Sequence, residues 1–196
     1  MSDAEGARER WNQRRTAMEF EPFPDMPADW LVEHGPLLGS EGRALDVACG
    51  DGRNALYLAR LGFEVEAVDV SDVAIDALRA AAAERSLTIE PRVVDLEHEP
   101  PAAESYDVVV NVNYLQRDLF GALERALRPG GWLVFETFGR AHIDELGTSM
   151  NEAYVLGDNE LLRAFSSLRV HHYREGVVVR EGSPRGVASL LARRRG

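Results

Sequence analysis

From Ala44 to Phe138 the chain alternates short apolar runs with stretches whose apolar residues recur every three to four positions. "ALDVA" (44–48) reads as a strand, and "GRNALYLARLG" continues as a helix with Ala55, Leu58, Ala59 and Leu61 along it and Gly62 closing it. "FEVEAVDV" (63–70) alternates and is β-branched, as a strand is. "SDVAIDALRAAAAERS" follows as a helix capped by Ser71 or Asp72. "TIEPRVVDL" (88–96) and "YDVVVNVN" (106–113) give two more strands, the latter apolar on both faces. "DLFGALERALRPGG" (118–131) reads as a helix ended by Pro129 and the glycine pair, and "WLVFETF" (132–138) as the fifth strand. Strands and helices at this spacing require right-handed crossovers and a parallel sheet covered on both faces, an α/β doubly wound architecture.

The rhythm breaks near the C-terminus. "LLRAFSS" is helical, but "VHHYREGVVVRE" and "RGVASLLARR" have only "GSP" between them. That connection suits a hairpin, so the last strand is predicted to run antiparallel to its neighbour. Two irregular segments remain. Residues 1–40 carry Trp11, Phe20, Phe23, Trp30 and four prolines, too apolar for a free tail and too broken for a sheet. They read as a helical and irregular lid segment preceding a single domain at 41–196. The long connection 139–158 falls after the fifth strand, where ligands of parallel sheets are usually held.

The turn "LDVACGDGRNA" (45–55) carries the chemistry. Gly50-Asp-Gly52-Arg-Asn-Ala55 satisfies a dinucleotide fingerprint, and Asp69 ends the second strand where a ribose would sit. A dinucleotide places its pyrophosphate on the helix N-terminus, and Asp46 and Asp51 beside that turn would repel it. S-adenosylmethionine has no phosphate and carries two positive groups, a sulfonium and an α-ammonium. Acidic side chains favour it. Asp69 then serves the ribose hydroxyls, and Asp95, read at the end of the third strand, receives the adenine amino group with Leu96 against the ring.

Composition limits the partners. The net charge of −11, with basic residues clustered only in "ARRRG", argues against nucleic acid. All 22 basic residues are arginine, which excludes a Schiff-base or P-loop lysine. The single Cys49 and five scattered histidines offer no metal site, and no metal is expected. No run approaches the ~20 apolar residues of a membrane span, and no secretory signal is visible. A cytoplasmic protein with a small-molecule partner, monomer or homodimer, is the expectation.

With these residues in view, the region 43–138 resembles the class I S-adenosylmethionine-dependent methyltransferases. "LDVACGDGRN" is similar to their first motif, "VEAVDVS" to their acidic second-strand motif, and "RPGGWLVFET" to their post-motif segment. More narrowly, "GDGRNALYLARLGFEV", "NYLQRDLF" and "NEAYVL…ELL" resemble small bacterial methyltransferases of the tellurite-resistance type. The resemblance implies a Rossmann-like sheet of seven strands, mostly parallel, with the last strand antiparallel. It implies a cofactor held by Asp46, Ala48, Gly50, Gly52, Asn54, Asp69, Val70, Asp95, Leu96 and Asn111. Trp11 and Arg14 on the first helix are read as a lid over it.

On the acceptor side, Asn113, Tyr114 and Arg117 leave the fourth strand where the sheet opens and are the expected catalytic residues, with Arg140 and His142 on the following loop. "NVNYLQR" lacks the proline found there in many amino-group methyltransferases, which speaks against DNA-base or protein-amine methylation. A small-molecule acceptor is expected, with a thiol or a chalcogen oxyanion as the candidates, since a thiolate or such an oxyanion needs no general base. Cys49 inside the turn is read as packing. A nicotinamide-dependent oxidoreductase and a non-catalytic nucleoside-binding regulator are the alternative readings.

Overall fold

The computed structural model describes residues 3–16, 26–180 and 182–196. Among these, seven strands form one sheet in the order β3-β2-β1-β4-β5-β7-β6. The elements run α1 (Asp3–Thr16), α2 (Asp29–Leu38), β1 (Arg43–Val47), α3 (Arg53–Leu61), β2 (Glu64–Asp69), α4 (Asp72–Glu84), β3 (Ile89–Val93) and β4 (Tyr106–Val112). They continue with α5 (Phe120–Ala126), β5 (Leu127–Phe138), α6 (Ala141–Asp144), α7 (Glu160–Ala164), β6 (Arg169–Arg180) and β7 (Ser183–Arg193). Strands β3, β2, β1, β4 and β5 are parallel, and β7 runs antiparallel to both β5 and β6. The doubly wound sheet and its antiparallel last strand are as expected.

The alternation of side chains along each strand makes two cores. Val108, Val110 and Val134 pack with Leu31, Leu58, Ile75 and Leu78 on one face. Leu45, Val109, Leu133 and Phe135 pack with Leu123, Leu161 and Phe165 on the other. Two boundaries differ from the sequence reading. The fifth helix stops at Ala126, and β5 begins at Leu127, whose backbone is already extended (φ −67°, ψ 139°) and pairs with Tyr106. Pro129 disfavours a helical Arg128, so the chain straightens before the proline rather than at it. The third strand ends at Val93, and Asp95 opens a turn by accepting the amides of His98 and Glu99.

The N-terminal segment is partly described. Phe20 and Phe23 lie outside the described residues, as does the side chain of Arg14. Helix α1 rests on the start of α4: Asn12 Nδ2 donates to Asp72 at 2.6 Å, and Ser71 Oγ donates to Asn12 at 2.7 Å. Trp11, 38% exposed, sits on this helix. No helix among the described residues is long and apolar enough to cross a membrane.

Helix α6 lies directly against β7 at Gly186, where a Cβ would fall 1.9 Å from the His142 nitrogen. Gly186→Ala is therefore expected to displace α6 and cost about 1–3 kcal/mol, as overpacking does. Guanidinium unfolding measures this, and an unchanged midpoint would show that α6 shifts without cost.

Candidate active site

The turn after β1 is built from left-handed backbone. Ala48 (φ 49°), Gly50 (φ 57°) and Gly52 (φ 83°) all have positive φ, which folds the chain back within four residues. A side chain at Gly52 would meet Leu78 Cδ1 at 2.2 Å, so α3 and α4 approach closely there. Cys49 is buried in the turn and hydrogen-bonds Val68 through its amide. Asn54 is buried, and its Oδ1 accepts the Ala28 amide at 2.9 Å; it ties the entry of α2 to the turn.

Three aspartates at or just beyond the strand ends are held in different ways. Asp69 accepts the Gly50 amide on one oxygen and the Ser71 amide on the other, each at 2.9 Å. The pair fixes the carboxylate plane while each oxygen keeps further acceptor capacity. Val70 follows it, half-buried. Asp95 accepts the Glu97 amide at 3.0 Å and lies 2.9 Å from His98 Nδ1, so it holds its own turn, with Leu96 buried beside it. Asp46 differs from both. It is 1% exposed, and neither carboxylate oxygen has a partner in good hydrogen-bonding geometry. Burial pushes its pKa up to about 7; the Ala55 amide and Arg53 guanidinium pull it back less strongly, and Asp69 adds to the rise. An orphaned buried carboxylate beneath a glycine turn suits a cationic ligand group.

The three acceptor-side candidates separate. Asn113 keeps a left-handed backbone (φ 58°), its amide bonded to Glu136 O at 2.8 Å, and lines a pocket over the ends of β4 and β5. Tyr114 donates to Gln116; burial raises its pKa, with the nearby carboxylates of Glu97, Asp95 and Asp69 adding to the rise. Its carbonyl accepts from the buried Asn111 at 2.8 Å, so Asn111 shapes this exit.

Arg117 corrects its expectation. Its guanidinium forks onto Glu160 at 2.7 and 3.0 Å and donates to Ala153 O at 3.1 Å and Val155 O at 2.9 Å. Bidentate pairing of this kind fixes geometry. Arg117 staples the β4 exit to the loop 153–160, with four of its five N–H donors engaged there. Arg140 likewise pairs with Asp144. His142 accepts the Gly186 amide at Nδ1 (3.2 Å), and burial, then Arg185, hold its pKa down. A neutral ring so placed carries its proton on Nε2.

The pocket beside Asn113 brings together Arg53, Glu136, Phe138, Arg180 and Arg185, which the sequence reading did not single out. Glu136 is 4% exposed and accepts from Ser189 at 2.6 Å, Arg174 at 3.1 Å and Arg180 at 2.8 Å. Arg180 reaches on to Asp29 at the start of α2. The signal available was the carboxylate inside "WLVFETF": a lone charge in a buried strand needs partners.

A strand–glycine turn–helix with an acidic second-strand end, under a seven-stranded sheet with its last strand reversed, defines the class I S-adenosylmethionine-dependent methyltransferases, and this chain has their fold. Residues 44–131 match the family model described as a methyltransferase domain. The chain is 31% identical over 134 residues to a ubiquinone biosynthesis O-methyltransferase of Burkholderia vietnamiensis, covering 62% of this chain and 56% of that protein. It thus spans about half the length of the curated relatives it matches. Among solved structures, TehB from Haemophilus influenzae superimposes with a TM-score of 0.70 at 21% identity, covering 87% of this chain and 63% of that one. A geranyl diphosphate C-methyltransferase from Streptomyces coelicolor, solved with S-adenosyl-L-homocysteine, gives 0.64 at 21% identity, covering 85% and 78%.

Proposed function

We propose that this chain transfers a methyl group from S-adenosylmethionine to a hydroxyl of a small-molecule acceptor. The observation that carries the reading is the pair of strand-end carboxylates at the glycine turn: Asp69 fixed by two amides, Asp46 buried without a partner in good hydrogen-bonding geometry. Asp69 takes the ribose hydroxyls, Asp46 the α-ammonium, and Arg53, close enough to act on Asp46, suits the α-carboxylate. In this reading Val70, Leu96 and Tyr114 border the adenine, and the contact of α1 with Ser71 through Asn12 supports Trp11 as part of a lid. The O-methyl assignment takes its support from the names of the curated relatives.

When bound, the cofactor supplies an already activated methyl on a sulfonium, so the protein's share is alignment and exclusion of water. The two carboxylates lining the pocket, Asp29 and Glu136, are both held by Arg180. Glu136 is saturated by two arginines and Ser189, and His142 presents an N–H. The acceptor hydroxyl must therefore ionise easily, as a phenol does, and the arginines favour its oxyanion.

Asp69→Ala is expected to weaken S-adenosyl-L-homocysteine binding tenfold or more, since charge-assisted hydrogen bonds contribute about 1.5–3 kcal/mol each. Calorimetry decides it. A change under about twofold would mean that Asp69 only holds the turn.

A further inference from the structure

The two edges of the sheet are built differently. β3 closes one with five residues, carries Pro91 inside it, and has the Pro91 carbonyl taken by Arg79. Short length and a proline are how proteins protect an edge against further strands. β6 closes the other edge with twelve residues and no proline. Its single strand neighbour is β7, and among the described residues no backbone outside β7 bonds to the backbone of β6.

The charges along β6 do not guard this edge once the chain is folded. Arg174 is bound by Glu33 and Glu136, and Arg180 by Asp29 and Glu136. Glu175 accepts from Tyr173 and from the Asn159 amide. What the strand leaves to solvent is apolar: Val177 is 39% and Val179 72% exposed. Leu37 on α2 is exposed as well, one helical turn after Glu33 on the flank that reaches β6.

The sequence of the edge is complementary to itself in one register. The ladder of β6 with β7 is unbroken from His172 to Arg180, and Gly176 is the midpoint of that stretch. Its φ of 140° favours glycine, and a Cβ there would meet nothing within 4 Å, so the position is open. A glycine inside a strand lets a second backbone come close. Antiparallel pairing about a two-fold axis at Gly176 sets Tyr173 against Val179, Arg174 against Val178, Glu175 against Val177 and His172 against Arg180. No like charges meet, and Tyr173 with Val179 is an aromatic–β-branched pair of the kind that stabilises neighbouring strands. An axis at Glu175 or at Arg174 sets that charge against itself, and an axis at Val177 sets Arg174 against Arg180. Axes nearer the start of β6 run the pairing into the irregularity between Val170 and His172.

We propose that the outer edge of β6 binds a second copy of this chain, antiparallel about a two-fold axis at Gly176, joining the two seven-stranded sheets into one. Such an interface is isologous, closes on itself and leaves neither copy with an open β6 edge. β1, which leads into the glycine turn, lies four strands from β6, about 19 Å at the usual strand spacing. Each copy thus keeps a whole glycine turn, and the pairing does not depend on the methyl-transfer reading. Two paired strands bury less than a large obligate interface, so the dissociation constant is expected to be on the order of micromolar.

The test is sedimentation velocity on the full chain from about 5 to about 300 µM, a range that spans weak interfaces. The expected result is a mass that rises from one chain to two across that range. Val177→Glu, at an exposed position, sets a new carboxylate against the partner's Glu175. It is expected to weaken the dimer at least tenfold while Tm stays unchanged, and adding Glu175→Arg restores the association. Tyr173→Cys combined with Val179→Cys is expected to give a disulfide-linked dimer on mild oxidation. Within one chain these positions lie about 20 Å apart along the strand and cannot bridge. A chain that stays monomeric throughout would overturn self-pairing and leave the edge to a strand of another protein. A dimer that Val177→Glu does not weaken would move the interface elsewhere, and a double-cysteine dimer that does not cross-link would overturn the register.

Discussion

Gly50→Val is expected to weaken S-adenosylmethionine binding at least a hundredfold in a protein that still unfolds cooperatively. Gly50 sits at φ 57°, and its amide donates to Asp69. A β-branched side chain resists that conformation, with strain of about 1–3 kcal/mol. Relaxing the strain would turn the amide away from Asp69 and release the carboxylate that the ribose needs. Keeping the conformation instead places two methyl groups where the nucleoside must approach the backbone. Either route removes binding, and a hundredfold loss corresponds to about 2.7 kcal/mol. Titration with S-adenosyl-L-homocysteine tests it; wild-type affinity in the folded variant would show that the cofactor does not lie on this turn.

Asp46→Asn is expected to separate stability from binding. The folded-state pKa of Asp46 is raised from 3.8 to about 7, so the protonated form favours the native state. Its contribution is complete below about pH 4, declines as pH rises, and is gone above about pH 7. Three pKa units correspond to about 4 kcal/mol. Without cofactor, the wild-type protein should thus be less stable at pH 8 than at pH 5 on this account, and the asparagine variant should lose that slope. Binding runs the other way. The α-ammonium favours the ionised carboxylate, so wild-type affinity should rise up to about tenfold between pH 6 and pH 7.5, with proton release on binding. The variant should bind about tenfold or more weakly at pH 7.5 and show no such rise. Calorimetry in buffers of differing ionisation enthalpy reads both the affinity and the released proton. A pH slope that persists in the variant would assign the proton to another group.

What could be read from the sequence was what depends on neighbours along the chain. The glycine turn, the Asp69 strand end and the hairpin at 182–184 are local signals, because their residues act on backbone a few positions away. Asp95 was misjudged by two residues, since β3 is a half-exposed strand whose apolar run continues past its last pairing at Val93. Arg117 was given to the substrate because its partner, Glu160, lies 43 positions away on a loop without a pattern. The pocket beside Asn113 escaped for the same reason. Asp29, Arg53, Asn113, Glu136, Arg180 and Arg185 come from six elements or loops, and only the order of the sheet brings them together. Glu136 carried a local signal, a charge in an otherwise apolar strand, which the sequence reading passed over.

The insertion of β7 between β5 and β6 has a bearing on how the chain is made. During synthesis, β1 to β4 emerge with their partners and can close the nucleoside half of the sheet in order. β5 then waits with one edge bare, and β6, twelve residues long, has no neighbour at all until β7 leaves the ribosome and enters the gap. Two open strand edges in a nascent chain invite pairing with other chains. Charges such as those along "YREGVVVRE" oppose such pairing, and Arg174 and Arg180 in the finished sheet grip Glu136. The strand that arrives after β6 thus closes the sheet around Glu136, so the ion pairs of Arg174 and Arg180 with that buried carboxylate form only once β7 has joined β5 to β6.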